Sequence, residues 1–192
     1  MDMEKLEEEM RTCTKCELCK TRNTVVFGEG NKNAKIMFIA EAPGAKEDEQ
    51  GRPFVGRAGK ILDSLLNEFR IERKEVYIAN ILKCRPPKNR NPLESEIKLC
   101  TPFLEKQIEL INPQVICTLG NFSTKFIMEK FGIDEVKEGI TKVRGKIFKV
   151  INGKKEMKIF PMYHPALAAY NPKKIETMKE DFKKLKNEII FD

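Results

Sequence analysis

The sequence has no long hydrophobic run. Of its 192 residues, 41% are hydrophobic and 34% are charged, a composition typical of globular proteins. A membrane-spanning helix needs about 18 or more consecutive apolar residues, and no run approaches that length. The sequence therefore predicts no transmembrane segment.

A signal-peptide pattern is missing as well. The first residues, MDMEKLEEEMR, are acidic and contain no apolar stretch, whereas a secretory signal has a basic start and an apolar core. We therefore expect an intracellular protein, in which disulfides are rare. The six cysteines then indicate either metal binding or core packing.

Nucleotide-binding motifs are also absent. The pattern GxxxxGK followed by Ser or Thr does not occur, and Gly28-Glu-Gly30 is followed by Asn33 where the dinucleotide motif has its third glycine. Such glycines let phosphates approach the backbone closely. Nucleotide hydrolysis and nicotinamide chemistry are therefore disfavoured.

The net charge of +7 is distributed unevenly along the chain. Residues 1–136 carry 22 basic and 22 acidic side chains, whereas residues 137–192 carry 14 basic and 7 acidic ones. The segment 83–90 adds four cations and no anion. Surfaces of this kind are either solvated lysine-rich faces or sites of phosphate contact.

Short apolar runs alternate with helical patterns, which predicts an α/β fold. Three nearly continuous apolar runs are typical of strands that are buried on both faces of a parallel sheet. Amphipathic helices and one hairpin, with its turn at Asn152-Gly153, accompany them. This order predicts one layered α/β domain, residues 1–192, with a mainly parallel sheet. The predicted strands are 35–40, 76–82 and 115–119, the hairpin is 142–151 with 157–162, and the helices are 58–69, 94–111, 121–131 and 172–189.

Polar side chains follow three of these strands, at the edge where parallel sheets bind ligands. Glu41 follows the first strand and begins a loop with four glycines, a composition that often receives anions at a helix start. Asn80 lies inside or just past the second strand, and a buried Asn either caps local backbone or reads a ligand edge. His164, the only histidine, follows the hairpin and is either structural or catalytic.

The cysteines give a separate signal. Cys13 and Cys16 have the spacing of a metal knuckle, Cys19 follows at the same spacing, and Cys84 and Cys100 are separated by fifteen residues. Four thiolates suffice for structural zinc or for an iron–sulfur cluster, and spacing alone does not choose between them. The sixth cysteine lies inside an apolar run and is predicted to pack in the core.

Four separated motifs occur in a characteristic order. They are the cysteine pairs Cys13/Cys16 and Cys84/Cys100, the loop EAPGAKEDEQGRPFVGRAG, the strand VYIANILKCRPP and the motif FPMYHPAL. Together they resemble the family 4 uracil-DNA glycosylases, which carry a 4Fe-4S cluster. The resemblance implies hydrolysis of the bond between uracil and deoxyribose in DNA. It also implies a three-layer α/β/α fold with a central four-stranded, mainly parallel sheet.

The resemblance assigns roles in the reaction. Phe54 would stack on the flipped uracil and Asn80 would read its Watson–Crick edge. His164 would donate a hydrogen bond to uracil O2, and Glu41 would orient or deprotonate the attacking water. The remaining substrate-binding positions are Ala40, Ala42 and Glu47, and the alternatives to Glu41 for water activation are Glu47 and Asp48.

Further roles concern DNA and the cofactor. DNA contacts are expected from Arg85, Lys88 and Arg90, and Leu167 would wedge into the gap that the flipped nucleotide leaves. The cluster would be structural and would join the N-terminal segment to the cationic loop, while Cys19 remains a spare thiol. Its implied ligands are Cys13, Cys16, Cys84 and Cys100.

The expected substrate is uracil-containing DNA, single- or double-stranded. A sliding clamp or other repair proteins are candidate partners, and we expect a monomer that is cytoplasmic and associated with the nucleoid. The alternative function is a non-catalytic nucleic-acid-binding protein stapled by an iron–sulfur cluster or zinc. That alternative explains the charge and the cysteines, but not three polar residues at strand ends.

Overall fold

A six-stranded mixed sheet lies at the centre of the residues that the computed structural model describes, 2–153 and 155–190. Its strands are β1 (Glu29–Gly30), β2 (Ile36–Ala40), β3 (Tyr77–Asn80), β4 (Val115–Leu119), β5 (Phe148–Asn152) and β6 (Lys155–Met162). Across the sheet they lie in the order β1-β3-β2-β4-β6-β5.

The four inner strands, β3, β2, β4 and β6, run parallel to one another. They form the four-stranded sheet that the resemblance implies, but β1 and β5 add an antiparallel strand at each edge. The prediction of four strands was therefore incomplete. β1 has only two residues. Its second residue must be glycine, because a Cβ at Gly30 would lie 1.9 Å from the Val76 carbonyl oxygen. So short a strand has no hydrophobic period that a sequence could reveal.

Alternate residues of the inner strands pack on opposite faces of the sheet, as pleating requires. In β2, Met37 and Ile39 belong to one hydrophobic cluster, and Ile36, Phe38 and Ala40 belong to the other. Helices cover both faces, which confirms the three-layer α/β/α class.

The helices divide between these two faces. They are α1 (Met3–Arg11), α2 (Ala45–Gln50), α3 (Arg57–Glu68), α4 (Glu94–Ile111), α5 (Asn121–Lys130), α6 (Ile140–Val143), α7 (Ala166–Tyr170) and α8 (Lys174–Lys184), and a π-helical turn, Leu185–Ile190, follows α8. Apolar residues of α1, α4, α5 and α6 pack in the first cluster, and those of α3, α7 and α8 pack in the second. No helix in the ranges 2–153 and 155–190 is long and apolar enough to cross a bilayer.

The hairpin differs from its predicted form in its first strand. Residues 142–147 were predicted as strand, but Ile140–Val143 is helical and β5 begins at Phe148. Between them the backbone at Gly145 is left-handed (φ +71°), and its N–H donates to the Pro161 carbonyl oxygen at 2.9 Å. The predicted Asn152-Gly153 turn joins β5 to β6, and Lys154 lies outside the described residues.

Candidate active site

The carboxyl ends of the parallel strands open into a cleft of about 480 Å³. Glu41 follows β2 directly, Asn80 is the last residue of β3, and His164 follows β6. All three line the cleft together with Phe54, which precedes α3. The structure thus brings together the side chains that the sequence placed at separate strand ends.

Asn80 is a buried residue whose amide faces this cleft. Only 2% of the residue is exposed, and its backbone lies beside Ala40 in the parallel pair of β3 and β2. Within the described residues no hydrogen bond satisfies its side chain. The amide lines the cleft and can both donate and accept hydrogen bonds, so it is suited to a ligand that offers the complementary groups.

Glu41 carries its carboxylate directly beyond the end of β2. Its backbone carbonyl accepts the Leu82 N–H at 3.0 Å, which fixes the residue at the end of the sheet. In the described part of the chain its side chain makes no ion pair, and burial raises the pKa of its carboxyl above the usual value. A raised pKa makes this carboxylate a better proton acceptor.

His164 is held as a neutral imidazole. Its Nδ1 accepts the backbone N–H of Ala166 at 3.1 Å, so its proton lies on Nε2. Burial lowers the pKa of His164 to about 4, although the nearby Glu47 carboxylate opposes that shift. The imidazole therefore offers the cleft an N–H donor at neutral pH and carries no charge.

Phe54 forms a wall of the cleft next to His164. The centroids of the two rings lie 5.6 Å apart, with 27° between their planes. The backbone at Phe54 is left-handed, with φ of +52°, a conformation that is rare for a bulky residue. Glu47 Oε1 stabilises this turn by accepting the N–H groups of Val55 and Gly56 at 2.9 and 2.8 Å. Strained backbone of this kind is common at functional sites.

Two of the residues considered for the site, Asp48 and Ala40, do not line the cleft. Asp48 is 1% exposed, and its carboxylate accepts the backbone and side-chain N–H groups of Asn23 at 2.9 and 2.7 Å. Ala40 is 1% exposed and packs in the core. Asp48 thus joins α2 to the segment around Asn23. Among the described residues, the carboxylates that line the cleft are those of Glu41 and Glu47.

The cationic segment 83–90 contributes less surface charge than its sequence indicated. Lys83 is 1% exposed, and its Nζ donates to the Gln107 side-chain oxygen at 2.6 Å and to the Phe27 carbonyl oxygen at 3.2 Å. Burial lowers the pKa of Lys83 to about 7. This lysine belongs to the interior and is not available to a phosphate.

The other cations of the segment lie at the rim of the cleft or near it. Arg90 lines the cleft and pairs with both carboxylate oxygens of Glu96, at 2.9 and 2.5 Å. Arg85 Nε donates to the Asn89 side chain at 2.8 Å. Lys88 is exposed and, within residues 2–153 and 155–190, has no partner. Lys88 is thus the freest of the three predicted DNA contacts.

Comparison with known proteins identifies the family. A family model described as "Uracil DNA glycosylase superfamily" matches residues 27–189. The chain is 50% identical to the type-4 uracil-DNA glycosylase of Sulfurisphaera tokodaii, over 96% of this chain and 83% of that protein. It is 49% identical to that of Saccharolobus solfataricus (96% and 85%) and 43% identical to that of Archaeoglobus fulgidus (95% and 92%). The chain belongs to the type-4 uracil-DNA glycosylases.

Two residues at the rim of this type-4 cleft were missed by the sequence reasoning. Arg57, the first residue of α3, lines the cleft, and its Nη2 donates to the Ala169 carbonyl oxygen at 2.9 Å. Tyr170 lines it as the last residue of α7. Leu167, the predicted wedge, is partly buried against the core. A signal for Arg57 was present, because this cation lies in the glycine-rich loop directly before the predicted helix 58–69.

Cysteines surround a second, smaller cavity beside segment 83–90. Those that line it are Cys13, Cys16, Cys19, Cys84 and Cys100. Burial raises the pKa of three of these thiols, and that of Cys100 reaches about 12. Arg22 Nη1 donates to Cys84 Sγ at 3.2 Å, and the Lys83 backbone N–H donates to Cys100 Sγ at 3.3 Å. Among the described His, Cys, Asp and Glu side chains, no three are arranged to hold a metal ion.

Proposed function

We propose that the chain excises uracil from DNA by hydrolysing the bond between the base and deoxyribose, which leaves an abasic site. The observation that carries this proposal is the convergence of Glu41, Asn80, His164 and Phe54 in one cleft. The type-4 relatives that are named uracil-DNA glycosylases support it. Because a base inside a duplex cannot enter such a cleft, the nucleotide must first rotate out of the stack.

Phe54 and Asn80 would recognise the base. The Phe54 ring provides a stacking surface. The Asn80 amide can donate from Nδ2 to uracil O4 and accept the N3–H at Oδ1. Cytosine presents a donor and an acceptor in the opposite positions, so both bonds would be lost and each buried group left unpaired would cost about 1–3 kcal/mol.

Glu41 and His164 would act on the bond itself. As the bond breaks, the sugar becomes cationic and the departing uracil becomes anionic. The Glu41 carboxylate can take a proton from the water that attacks the sugar, and its charge favours the cationic sugar. The neutral His164 can donate its Nε2–H to uracil O2, where negative charge develops only in the transition state.

The rim would bind the DNA backbone. Lys88 can approach a phosphate freely, whereas Arg85 and Arg90 are held by Asn89 and Glu96 and would present their remaining N–H groups. Binding through such contacts should weaken steeply with salt, because phosphate contacts release condensed counterions.

We extend the proposal to a 4Fe-4S cluster in a single domain. Its ligands would be Cys13, Cys16, Cys84 and Cys100, all of which line the small cavity. Such a cluster takes four thiolates on several irons, so its ligands surround a cavity and need not converge on one ion. When bound, the cluster would supply a structural crosslink between the N-terminal segment and the cationic loop, since hydrolysis moves no electrons.

Incubation with a uracil-containing oligonucleotide, followed by alkali, tests this function. We expect strand breaks at uracil and none at cytosine in the same position. Asn80→Asp removes the donor to O4 and should abolish cleavage at uracil. Asn67→Asp makes the same chemical change at an exposed position of α3 and should leave cleavage intact.

A different result of the same experiment would support the alternative function. If the folded protein binds this oligonucleotide and leaves no alkali-labile site, it is a non-catalytic nucleic-acid-binding protein. Circular dichroism on the same sample establishes that the protein is folded.

A further inference from the structure

Tyr170 is an exposed aromatic side chain at the mouth of the cleft. It is 85% exposed, ends α7 and lines the cleft together with Ala166 and Ala169 of the same helix. In the described part of the chain, none of the other exposed large hydrophobic side chains lines the cleft. Those others are Leu93, Leu99 and Ile151.

The helix that carries Tyr170 is fixed on its other side. Leu167 is partly buried against the core cluster that contains α3 and α8. Its backbone N–H donates to the His164 carbonyl oxygen at 2.9 Å, and Arg57 holds the Ala169 carbonyl oxygen at 2.9 Å. α7 therefore holds the Tyr170 backbone at a set distance from the imidazole that faces the base.

Within residues 2–153 and 155–190, no hydrogen bond, ring contact or cation contact involves the Tyr170 side chain. An isolated aromatic ring held in water beside a nucleotide-binding cleft exposes apolar area that a partner can cover. Since two cations, Arg57 and Arg90, line the same cleft as Tyr170 and such cations attract phosphates, the partner that reaches this ring is the nucleic acid.

We propose that the Tyr170 ring inserts into duplex DNA and fills the space left when the uracil nucleotide rotates into the cleft. This inference rests on the function proposed above. A rotated nucleotide leaves a gap between its neighbours, which inserted apolar or aromatic side chains can fill. Leu167 follows the same His-Pro pair, but its packing against the core leaves Tyr170 as the side chain that is free to enter.

The role has a consequence that depends on the substrate. In a duplex, the inserted ring opposes the return of the nucleotide to its stack. A single strand has no opposing strand and no pair to re-form, so the ring contributes little there. The contribution should also be smaller for uracil opposite guanine than for uracil opposite adenine, since a mismatched base costs less to extrude.

Single-turnover excision from matched single- and double-stranded oligonucleotides tests the proposal. We expect Tyr170→Ala to slow excision from a uracil·adenine duplex about tenfold, the effect of losing one stacking contact, and to slow the single strand less than about twofold. Tyr170→Phe should keep the parent rates. Ile151→Ala removes an exposed hydrophobic side chain from β5, away from the cleft, and should change neither rate.

A fluorescent base gives a readout of rotation without cleavage. With 2-aminopurine next to the uracil and Glu41→Gln added to stop the chemistry, the parent should raise the fluorescence and Tyr170→Ala should raise it less. Equal losses on single and double strands, or an unchanged duplex rate, would overturn the wedge role. If the parent excises uracil from neither substrate, the proposed function fails instead, so the two failures are distinguishable.

Discussion

The cleft and the cysteine cavity, which both adjoin segment 83–90, differ in how far the protein satisfies the hydrogen bonds of their polar groups. In the cleft, the Asn80 amide and the Glu41 carboxylate have no partner within the described residues, although both are at least half-buried. In the cysteine cavity, Cys84 and Cys100 each receive a hydrogen bond, and the neighbouring Lys83 ammonium has two acceptors.

This difference predicts that substitutions in the two cavities change different properties, the excision rate in one and the stability of the fold in the other. Polar groups that line the cleft without a partner among the described residues remain available to a substrate. Groups that are fully paired stabilise the fold and contribute little to chemistry. Substitutions in the cleft should therefore change the rate with little change in stability, and substitutions in the cysteine cavity should do the reverse.

We expect Glu41→Gln to cause the largest change, a loss of excision rate. Loss of a positioned base lowers rates by about 10²–10⁴-fold. The midpoint of thermal unfolding should stay the same or rise, because the substitution removes a partly buried charge that has no ion pair among the described residues. Single-turnover excision and a thermal melt measure the two quantities. Glu49→Gln, on the exposed side of α2, is the matched control. A fall in thermal stability for Glu41→Gln would contradict the prediction that substitutions in the cleft change the rate and not the stability.

Cys84→Ser tests the opposite side of the comparison. Metal binding contributes directly to folding energy, so losing one ligand should cost several kcal/mol and lower the unfolding midpoint by about 10 °C or more. The broad visible absorbance of an iron–sulfur protein should disappear with it. Cys19→Ser alters the same cavity at a thiol outside the proposed ligand set, and it should keep both properties. If the two variants lose the absorbance equally, the ligand assignment is wrong.

His164 lies in the cleft, and its lowered pKa also makes the stability of the fold depend on pH. Its folded pKa of about 4 lies below the usual 6.5, so between these values the unfolded chain binds more protons than the folded one. The contribution of His164 to the free energy of unfolding should then rise with pH from 4 to 6.5, by on the order of 3 kcal/mol. His164→Gln should remove this part of the pH dependence, as denaturant titrations of both proteins at several pH values would measure.

The single histidine also permits a direct observation. Nitrogen-15 NMR of the imidazole should show a neutral ring protonated at Nε2 throughout pH 5.5–8. A transition near pH 6.5 would show instead that the His164 ring is solvated in the free protein, which would contradict a neutral imidazole held by burial. The acid limb of the activity should instead follow Glu41, whose pKa is raised.

Local patterns in the sequence predicted the sheet core and the polar residues at its edge. Strand 115–119 is buried on both faces, and its residues match β4 as observed, including the fully buried Cys117. Glu41, Asn80 and His164 were found because parallel strands share one carboxyl edge. Their common placement in one cleft could be predicted because it depends only on short apolar runs and on residues at or near the ends of those runs.

Tertiary contacts account for what the sequence did not reveal. Lys83 is interior because of Phe27 and Gln107, which lie 56 and 24 residues away in the chain. Glu47 is tied to backbone N–H groups eight and nine residues on, and the exposure of Tyr170 depends on how α7 packs. No local period encodes any of these arrangements.

The smallest effect tests how tightly the fold positions the cleft. Gly120 has φ of +93°, and a Cβ there would lie 3.1 Å from His164 Cβ, whereas Gly132 has φ of +66° and open space around it. Both Gly120→Ala and Gly132→Ala introduce backbone strain of about 1–3 kcal/mol and should lower the unfolding midpoint. Only Gly120→Ala should displace the imidazole, which would reduce the excision rate about tenfold and shift its NMR signal. Equal rates for the two variants would mean that the ring tolerates displacement and that catalysis depends on its N–H alone.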